Sequence, residues 1–487
     1  MLIKLDRDSH TPVYEQIKEH IVGLILAGRL KPGDRLPSSR SLAESLGVNR
    51  TTVCTAYEEL EADGYVASHV GQGTYVLPQQ KLQVGISSGQ QSLLRPRFSR
   101  RSELLHRHKW EHFGEGRVDR ILFSGLTPEE DLFPIELFRS AINNCLRERG
   151  KQLLQYGDPQ GYRPLREYLS MRLARYSISA SVEQIVIVSG SQQGLDLVMR
   201  ILTDPGDRVV IESPTYPELF PVLAQYQAEI VTVPVGNYGL ELDQLEQRLR
   251  EKPVQLAYVM PNFHNPTGAT MQLEQREKLV EIAQKYGTIL IEDDYEKDLR
   301  LEGTPIVPVK ALDSTGAVLY LGTFSKGLFP GARVAWIVAQ EAIVERLVQA
   351  KRCLDFQTNL LMQAALAEFC AQGYYDAHLK RIHKIYRLRR RRLLEALERE
   401  MPEGVSWTRP EGGYAVWVTM PQVLDAAELL DEARKHGIFF IPGTQFYIDG
   451  SGKNCFRLCF SRTDAEQIDE GVAVLGTLIR EKLRRIK

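Results

Sequence analysis

The stretch Thr323-Phe-Ser-Lys-Gly-Leu-Phe-Pro-Gly-Ala-Arg333 decides how the rest of the chain reads. It follows an apolar, strand-like segment (318–321) and carries a lysine, with hydroxyls just before it and an arginine seven residues after it. A lysine amine condenses with an aldehyde, and Ser, Thr and Arg side chains hold a phosphate. A small molecule with both groups is pyridoxal 5′-phosphate (PLP), and Lys326 would be its attachment point.

At 487 residues the chain is long enough for two or three domains. It is 43% hydrophobic and 25% charged with a formal net charge of −1, the composition of a soluble globular protein. Overall neutrality leaves any nucleic-acid binding to local patches. The six cysteines form no CxxC pair and have no His-rich companions, so no metal site and no disulfide framework is expected. A reducing cytoplasm fits that usage. The longest early apolar stretch, 21–28, is too short to span a bilayer, and no signal peptide is evident.

The first 77 residues have a different character from the lysine segment. Residues 12–27 read as an amphipathic helix with Val13, Ile17, Ile21 and Leu24 on one face. Ser38 caps a short helix ending near Leu46, Gly47 permits a sharp turn, and Asn49 caps a second helix to about Asp63. Helix, glycine turn, helix is the helix-turn-helix pattern. Two short strand-like runs around Gly71-Gln-Gly73 would add a wing. Arg50, Thr51 and Thr52 open the second helix, where an arginine reads guanine and hydroxyls hold phosphates. Residues 1–77 carry 8 Lys and Arg against 10 Asp and Glu, so a single copy would bind DNA weakly and gain from pairing.

Residues 78–120 read as a flexible linker with a net charge of +5, from 9 Lys and Arg against 4 Asp and Glu. From about 121, apolar strand candidates at 184–188, 208–211, 256–260, 288–291 and 318–321 alternate with helical stretches. That alternation predicts a doubly wound, mainly parallel sheet. From about 375 the pattern changes to a smaller α+β lobe, with strand candidates at 412–417 and 456–460. Ligands of doubly wound sheets sit beyond the carboxyl ends of the strands. Polar segments fall there repeatedly: Ser189–Gly194 opening a helix, Glu212–Tyr216, Pro261–Gly268 and Glu292–Tyr295.

Residues 11–77 resemble the GntR-type winged helix-turn-helix, which implies DNA contacts from Arg40, Arg50, Thr51, Thr52 and Gly71. Residues 121–480 are similar to the fold-type I, class I/II aminotransferases. That resemblance implies an internal aldimine on Lys326, Asp293 against the pyridine nitrogen, Asn265 and Tyr295 on the phenolic oxygen, and Tyr216 stacked on the ring. It places Ser191, Gln192, Thr323, Ser325 and Arg333 around the phosphate. Tyr156 would reach the phosphate of a partner subunit, and Arg457 would clamp a substrate carboxylate. His264 reads as a loop residue and the basic run 378–392 as a solvated helix face.

Head, linker and body together resemble the MocR/GabR family of transcription regulators. The fold class implied is multidomain: an α-rich winged helix-turn-helix (1–77), a linker (78–120) and an α/β PLP-dependent transferase body (121–487). The family implies a head-to-tail homodimer on a double-stranded DNA operator, with PLP as cofactor and a small amino compound, or PLP itself, as effector. The alternative is a working class I/II aminotransferase with a regulatory DNA-binding head.

Overall fold

The computed structural model describes residues 3, 5–6, 11–69, 73–78, 98–106 and 120–486. The chain divides into two compact units, Met1–Arg97 and Phe98–Lys487. The second begins inside the stretch expected as linker, where a helix spans Arg100–His106 and lies against the helix Leu219–Gln225. Residues 79–97 and 107–119 lie outside the described residues, as does Gly71.

In the first unit, α1 (Val13–Leu26) buries Ile17, Ile21 and Ile25, a stripe at i, i+4 and i+8. Val13 and Leu24 lie half-buried beside it, so the buried face is turned slightly from the one expected. α2 (Ser39–Leu46) is capped by Ser38 Oγ, which accepts from the Ser41 amide at 3.1 Å. α3 (Arg50–Ala62) is capped by Asn49 Oδ1, which accepts from Thr51 N at 3.2 Å. These caps satisfy amides that have no partner inside the helix. Gly47 ends α2 at φ +61°, a left-handed conformation that glycine adopts without a Cβ penalty. β1 (Val66–His69) and β2 (Gly73–Val76) pair antiparallel, Val66 opposite Val76, and complete the wing. Val53, Ala56, Tyr57 and Leu60 of α3 close the core over α1 and α2.

In the second unit β3 (Ile121–Leu122) comes first, and eight strands then form one sheet. They are β4 (Ile185–Val188), β5 (Arg208–Ser213), β6 (Glu229–Gly236), β7 (Gly239–Leu240), β8 (Leu256–Val259), β9 (Ile289–Asp293), β10 (Val318–Thr323) and β11 (Ala335–Val338). Their order is β4-β11-β10-β9-β8-β5-β6-β7. The run from β10 to β6 is parallel, while β11 lies antiparallel between β4 and β10, and β7 antiparallel on β6. Strands β4, β8 and β10 are buried along their whole length, β8 and β10 inside the sheet and β4 at its edge, so all three are covered on both faces. β6, β7 and β11 were not among the sequence candidates. Gln184 falls in a 3-10 turn before β4, while β5 and β9 run two residues further than expected, carrying Glu212 and Asp293 on the strands themselves.

The smaller lobe is entered through the 27-residue helix Tyr374–Glu400. Its sheet has the order β12-β13-β16-β15, from β12 (Ser406–Trp407), β13 (Ala415–Thr419), β15 (Ile441–Pro442) and β16 (Cys455–Cys459). β14 (Ile438–Phe439) instead pairs parallel with β3. Gly412 and Gly413 precede β13 rather than belong to it. Among the described residues no helix is long and apolar enough to cross a membrane.

Leu60 is fully buried in the first unit. Leu60→Ala should cost this unit about 2–5 kcal/mol by cavity formation. Denaturant unfolding of the full chain should show an early transition that is absent from the wild type; a single unchanged transition would contradict this core assignment.

Candidate functional site

Connections from β5 and β8 leave in opposite directions across the sheet, β5 to β6 on one side and β8 to β9 on the other. Such a reversal opens a crevice at the carboxyl ends of the two strands. A cavity of about 140 Å³ lies there, and ten of the twelve site residues expected in this unit line it. Missing are Arg457, which reaches the cavity through Asn265, and Tyr156, which is 83% exposed.

Asp293 ends β9 with its carboxylate buried. Oδ2 accepts a 2.7 Å hydrogen bond from the Tyr258 hydroxyl, while Oδ1 has no partner. Burial pushes the Asp293 carboxyl up to about 7, against the pull of the Tyr258 hydrogen bond. Lys326 follows β10, and its Nζ donates to the Leu126 carbonyl at 2.6 Å. Burial lowers its pKa, opposed by the Glu296 carboxylate and assisted by Arg457. The lysine backbone is fixed from the smaller lobe by the Tyr414 hydroxyl, which donates to Lys326 O at 2.7 Å. An amine that loses its proton easily, beside an unpaired carboxylate oxygen, is the arrangement a carbonyl-condensing site needs.

The anion-binding end is built at the helix Ser191–Leu202. Gly190 precedes it at φ +96°, and a Cβ there would run into the Arg333 guanidinium. Arg333 itself takes a left-handed φ of +50° and donates from Nη2 to Ser189 O at 3.1 Å. A non-glycine residue held at positive φ beside a helix N-terminus is strain of the kind found at ligand sites. Thr323 Oγ1 and Ser325 Oγ lie 3.0 Å apart on the other side. Free amides, hydroxyls and a guanidinium in one corner suit a phosphate. Gln192 is anchored by donating from Nε2 to Glu218 O at 2.8 Å, and its Oε1 accepts from the Tyr216 hydroxyl at 3.5 Å.

Asn265 and Arg457 form one unit: Nη1 of Arg457 donates to Asn265 Oδ1 at 2.8 Å, and Nη2 donates to Ser124 O at 2.9 Å. The arginine is buried on β16, with Nε unpartnered and its guanidinium 5.0 Å from the Phe446 ring centroid. Tyr295 lines the cavity while its hydroxyl donates to Phe263 O at 2.8 Å. His264 is fully buried, its Nδ1 2.8 Å from Thr267 Oγ1, as a loop-bracing residue would be.

Sequence reasoning missed Tyr258, the Leu126 carbonyl and Glu296. Tyr258 interrupts the otherwise aliphatic β8, and a buried tyrosine hydroxyl requires a partner, which was a usable signal. Leu126 acts through its backbone and carries no signal. Glu296 stands three residues past Asp293, 1% exposed, with its carboxyl pushed up to about 7 by burial.

In the first unit Arg40, Arg50 and Thr51 are exposed and Thr52 is half-buried. Arg50 Nε donates to Ser39 Oγ at 3.4 Å, which holds the guanidinium at the junction of α2 and α3.

Residues 127–475 match the family model "Aminotransferase class I and II", and residues 13–76 match "Bacterial regulatory proteins, gntR family". The aromatic-amino-acid aminotransferase 1 of Thermococcus litoralis is 39% identical across 75% of this chain and 89% of its own length. The probable rhizopine catabolism regulatory protein MocR of Rhizobium meliloti is 30% identical across 97% of this chain and 94% of its own. Among solved structures, the α-aminoadipate aminotransferase LysN of Thermus thermophilus, complexed with N-(5′-phosphopyridoxyl)-L-leucine, superposes with a TM-score of 0.71. It is 35% identical and covers 75% of this chain and 93% of that one. A GntR head and an aminotransferase body, matched together over nearly the full length by a regulator of the same build, place this chain in the family of MocR-type helix-turn-helix transcriptional regulators.

Proposed function

We propose that the chain is a PLP-dependent DNA-binding regulator whose body senses an amino compound or PLP itself. The observation that carries the reading is the unpartnered Asp293 Oδ1 in the same cavity as the Lys326 amine. A buried carboxylate oxygen without a donor is costly, and a pyridinium N–H would satisfy it. PLP therefore fits the residues present, and when bound it supplies an electron sink and an aldehyde that exchanges amines.

In this reading Lys326 would hold the aldehyde end of PLP and Asp293 would accept from its ring N–H. Tyr216 would stack on the ring, and Asn265 would hold the phenolic oxygen, joined by Tyr295 if its one O–H turns from Phe263 O. Ser191, Gln192, Thr323, Ser325 and Arg333 hold the phosphate. Tyr156, exposed beside Phe356, reaches a partner subunit's phosphate in a homodimer. Arg457 receives the carboxylate of an effector, exchanging its bond to Asn265 for a bidentate pair. An amino compound that displaces Lys326 and recruits Arg457 binds one arrangement of the dimer better than another, and that difference shifts the spacing of the DNA readers. On the DNA side, Arg50, Thr51 and Thr52 enter the major groove and Arg40 and Gly71 contact DNA beside it.

A second reading, a working aminotransferase under a regulatory head, is favoured by the 39% identity to an aminotransferase and by the ten expected residues that line the cavity. Catalytic conversion of an amino donor with a 2-oxo acid, at ordinary enzyme rates, selects it over the sensor.

Three outcomes follow for the full chain. Lys326→Ala should abolish the long-wavelength absorbance of lysine-bound PLP, and a band that persists unchanged removes Lys326 as the attachment point. For Asp293 the folded pKa lies above the ordinary 3.8, so stability is fully present below about pH 4 and is lost as pH rises through about 7. Without PLP, Asp293→Asn should raise stability at pH 8 by at least about 1 kcal/mol while weakening PLP retention; unchanged melting and unchanged retention would exclude the role. Arg50→Ala should cost about 1–3 kcal/mol of specific operator binding, and an unaltered footprint would defeat the recognition-helix assignment.

A further inference from the structure

Ser189, the residue before the glycine that admits Arg333, has its amide, its carbonyl and its hydroxyl all engaged. Its carbonyl accepts from Arg333 Nη2 at 3.1 Å, and its amide donates to Gln193 Oε1 at 2.7 Å. Its hydroxyl donates to Asp355 Oδ2 at 3.1 Å and lies 3.1 Å from Thr358 Oγ1. Gln193 Nε2 donates to the same Asp355 oxygen at 2.7 Å. The other carboxylate oxygen pairs at 2.7 Å with Lys351 Nζ, whose side chain is completely buried. A buried ammonium holds its carboxylate strongly, because parting them leaves a charge without solvent or partner. Asp355 is therefore fixed from below by Lys351 and joined from above to the backbone that forms the anion corner.

Asp355 begins a short loop, 355–358, in which Phe356 is exposed and Thr358 buried. Phe356 follows it at φ +60°, 62% exposed, in a conformation bulky residues rarely adopt. Its ring centroid lies 5.9 Å from that of Tyr156. Gln357 Oε1 accepts from the amide of Gly157, and Thr358 O accepts from Gln363 Nε2 at 2.8 Å. The loop thus grips the 156–157 segment by a ring contact and a hydrogen bond. The strain at Phe356 persists because the bonds on both sides over-determine the backbone.

We propose that Asp355 is a positioning residue that relays occupancy of the phosphate corner to the Tyr156–Phe356 face. A phosphate arriving on the Ser191 and Gln192 amides competes for the Arg333 guanidinium that now bonds Ser189 O. Ser189 cannot readjust alone, since its amide and hydroxyl are tied to Gln193, Thr358 and Asp355. The adjustment passes to Asp355 and so to residues 355–358 and 156–157. The phosphate, not the aldehyde or the ring, is then the part of the ligand that this face detects. The inference rests on the proposed phosphate role of Ser191, Gln192 and Arg333.

Amide hydrogen exchange on the full chain tests it, with PLP, pyridoxal and inorganic phosphate as probes and absorbance recording PLP uptake separately. PLP should slow exchange at 355–358 by at least about threefold, and inorganic phosphate should act in the same direction. Pyridoxal, which lacks the phosphate, should not. The paired variant Lys351→Met/Asp355→Leu, which removes both charges together, should still take up PLP and lose the protection. Ser189→Ala, which leaves the Lys351–Asp355 pair intact, should weaken it; this second variant decides the matter if the first does not fold. Equal protection by pyridoxal, or protection that survives in these variants, overturns the relay while leaving PLP binding standing. Absence of PLP uptake by the wild type overturns the underlying reading as well.

Discussion

Burying one carboxylate at the end of a central strand is the constraint on which the rest of this site depends. Asp293 sits where β9 meets the cavity, with one oxygen bonded to Tyr258 and the other bare. Burial raises its pKa to about 7, so without a cation beside it the folded chain pays for every proton that leaves. A ligand carrying a ring N–H relieves that cost, which converts a destabilising group into binding specificity. Lys326, in the same cavity, is also shifted toward its neutral form by burial.

The sheet explains why these groups meet. β5, β8, β9 and β10 run parallel, so their carboxyl ends share one edge and the segments after them converge. Tyr216, Asn265, Asp293 and Lys326 come from four different strand ends, and the smaller lobe contributes Arg457 on β16 and Tyr414 just before β13. Because Arg457 bonds Asn265 and Ser124 while Tyr414 bonds the Lys326 backbone, the two lobes hold the site jointly.

Much of this was legible in the sequence because its signals are local. Caps such as Ser38 and Asn49 announce helix starts by side-chain chemistry, and four-residue apolar runs bounded by turn residues announce β4, β8 and β10. The ten cavity residues were legible because they cluster directly after such runs. Residues whose role is set by partners far along the chain were not. Tyr258 is defined by Asp293, Lys351 by Asp355, and Leu126 by a backbone carbonyl that no side chain advertises. β11 was missed because its four residues follow the glycine-rich Lys326 segment and pair antiparallel, against the alternation that marks the parallel strands.

The proposed coupling between the Lys326 cavity and the DNA-reading unit is measurable from either end, because linkage is reciprocal. If the state of the Lys326 site changes operator affinity, operator DNA must change the affinity of the site for its ligand by the same factor. The most direct measurement is the affinity of the full chain for PLP, and of the PLP-loaded chain for candidate amino compounds, with and without operator DNA. The account predicts that at least one of these affinities shifts with DNA, by the factor by which that ligand shifts DNA binding. Affinities that are identical with and without operator would contradict it.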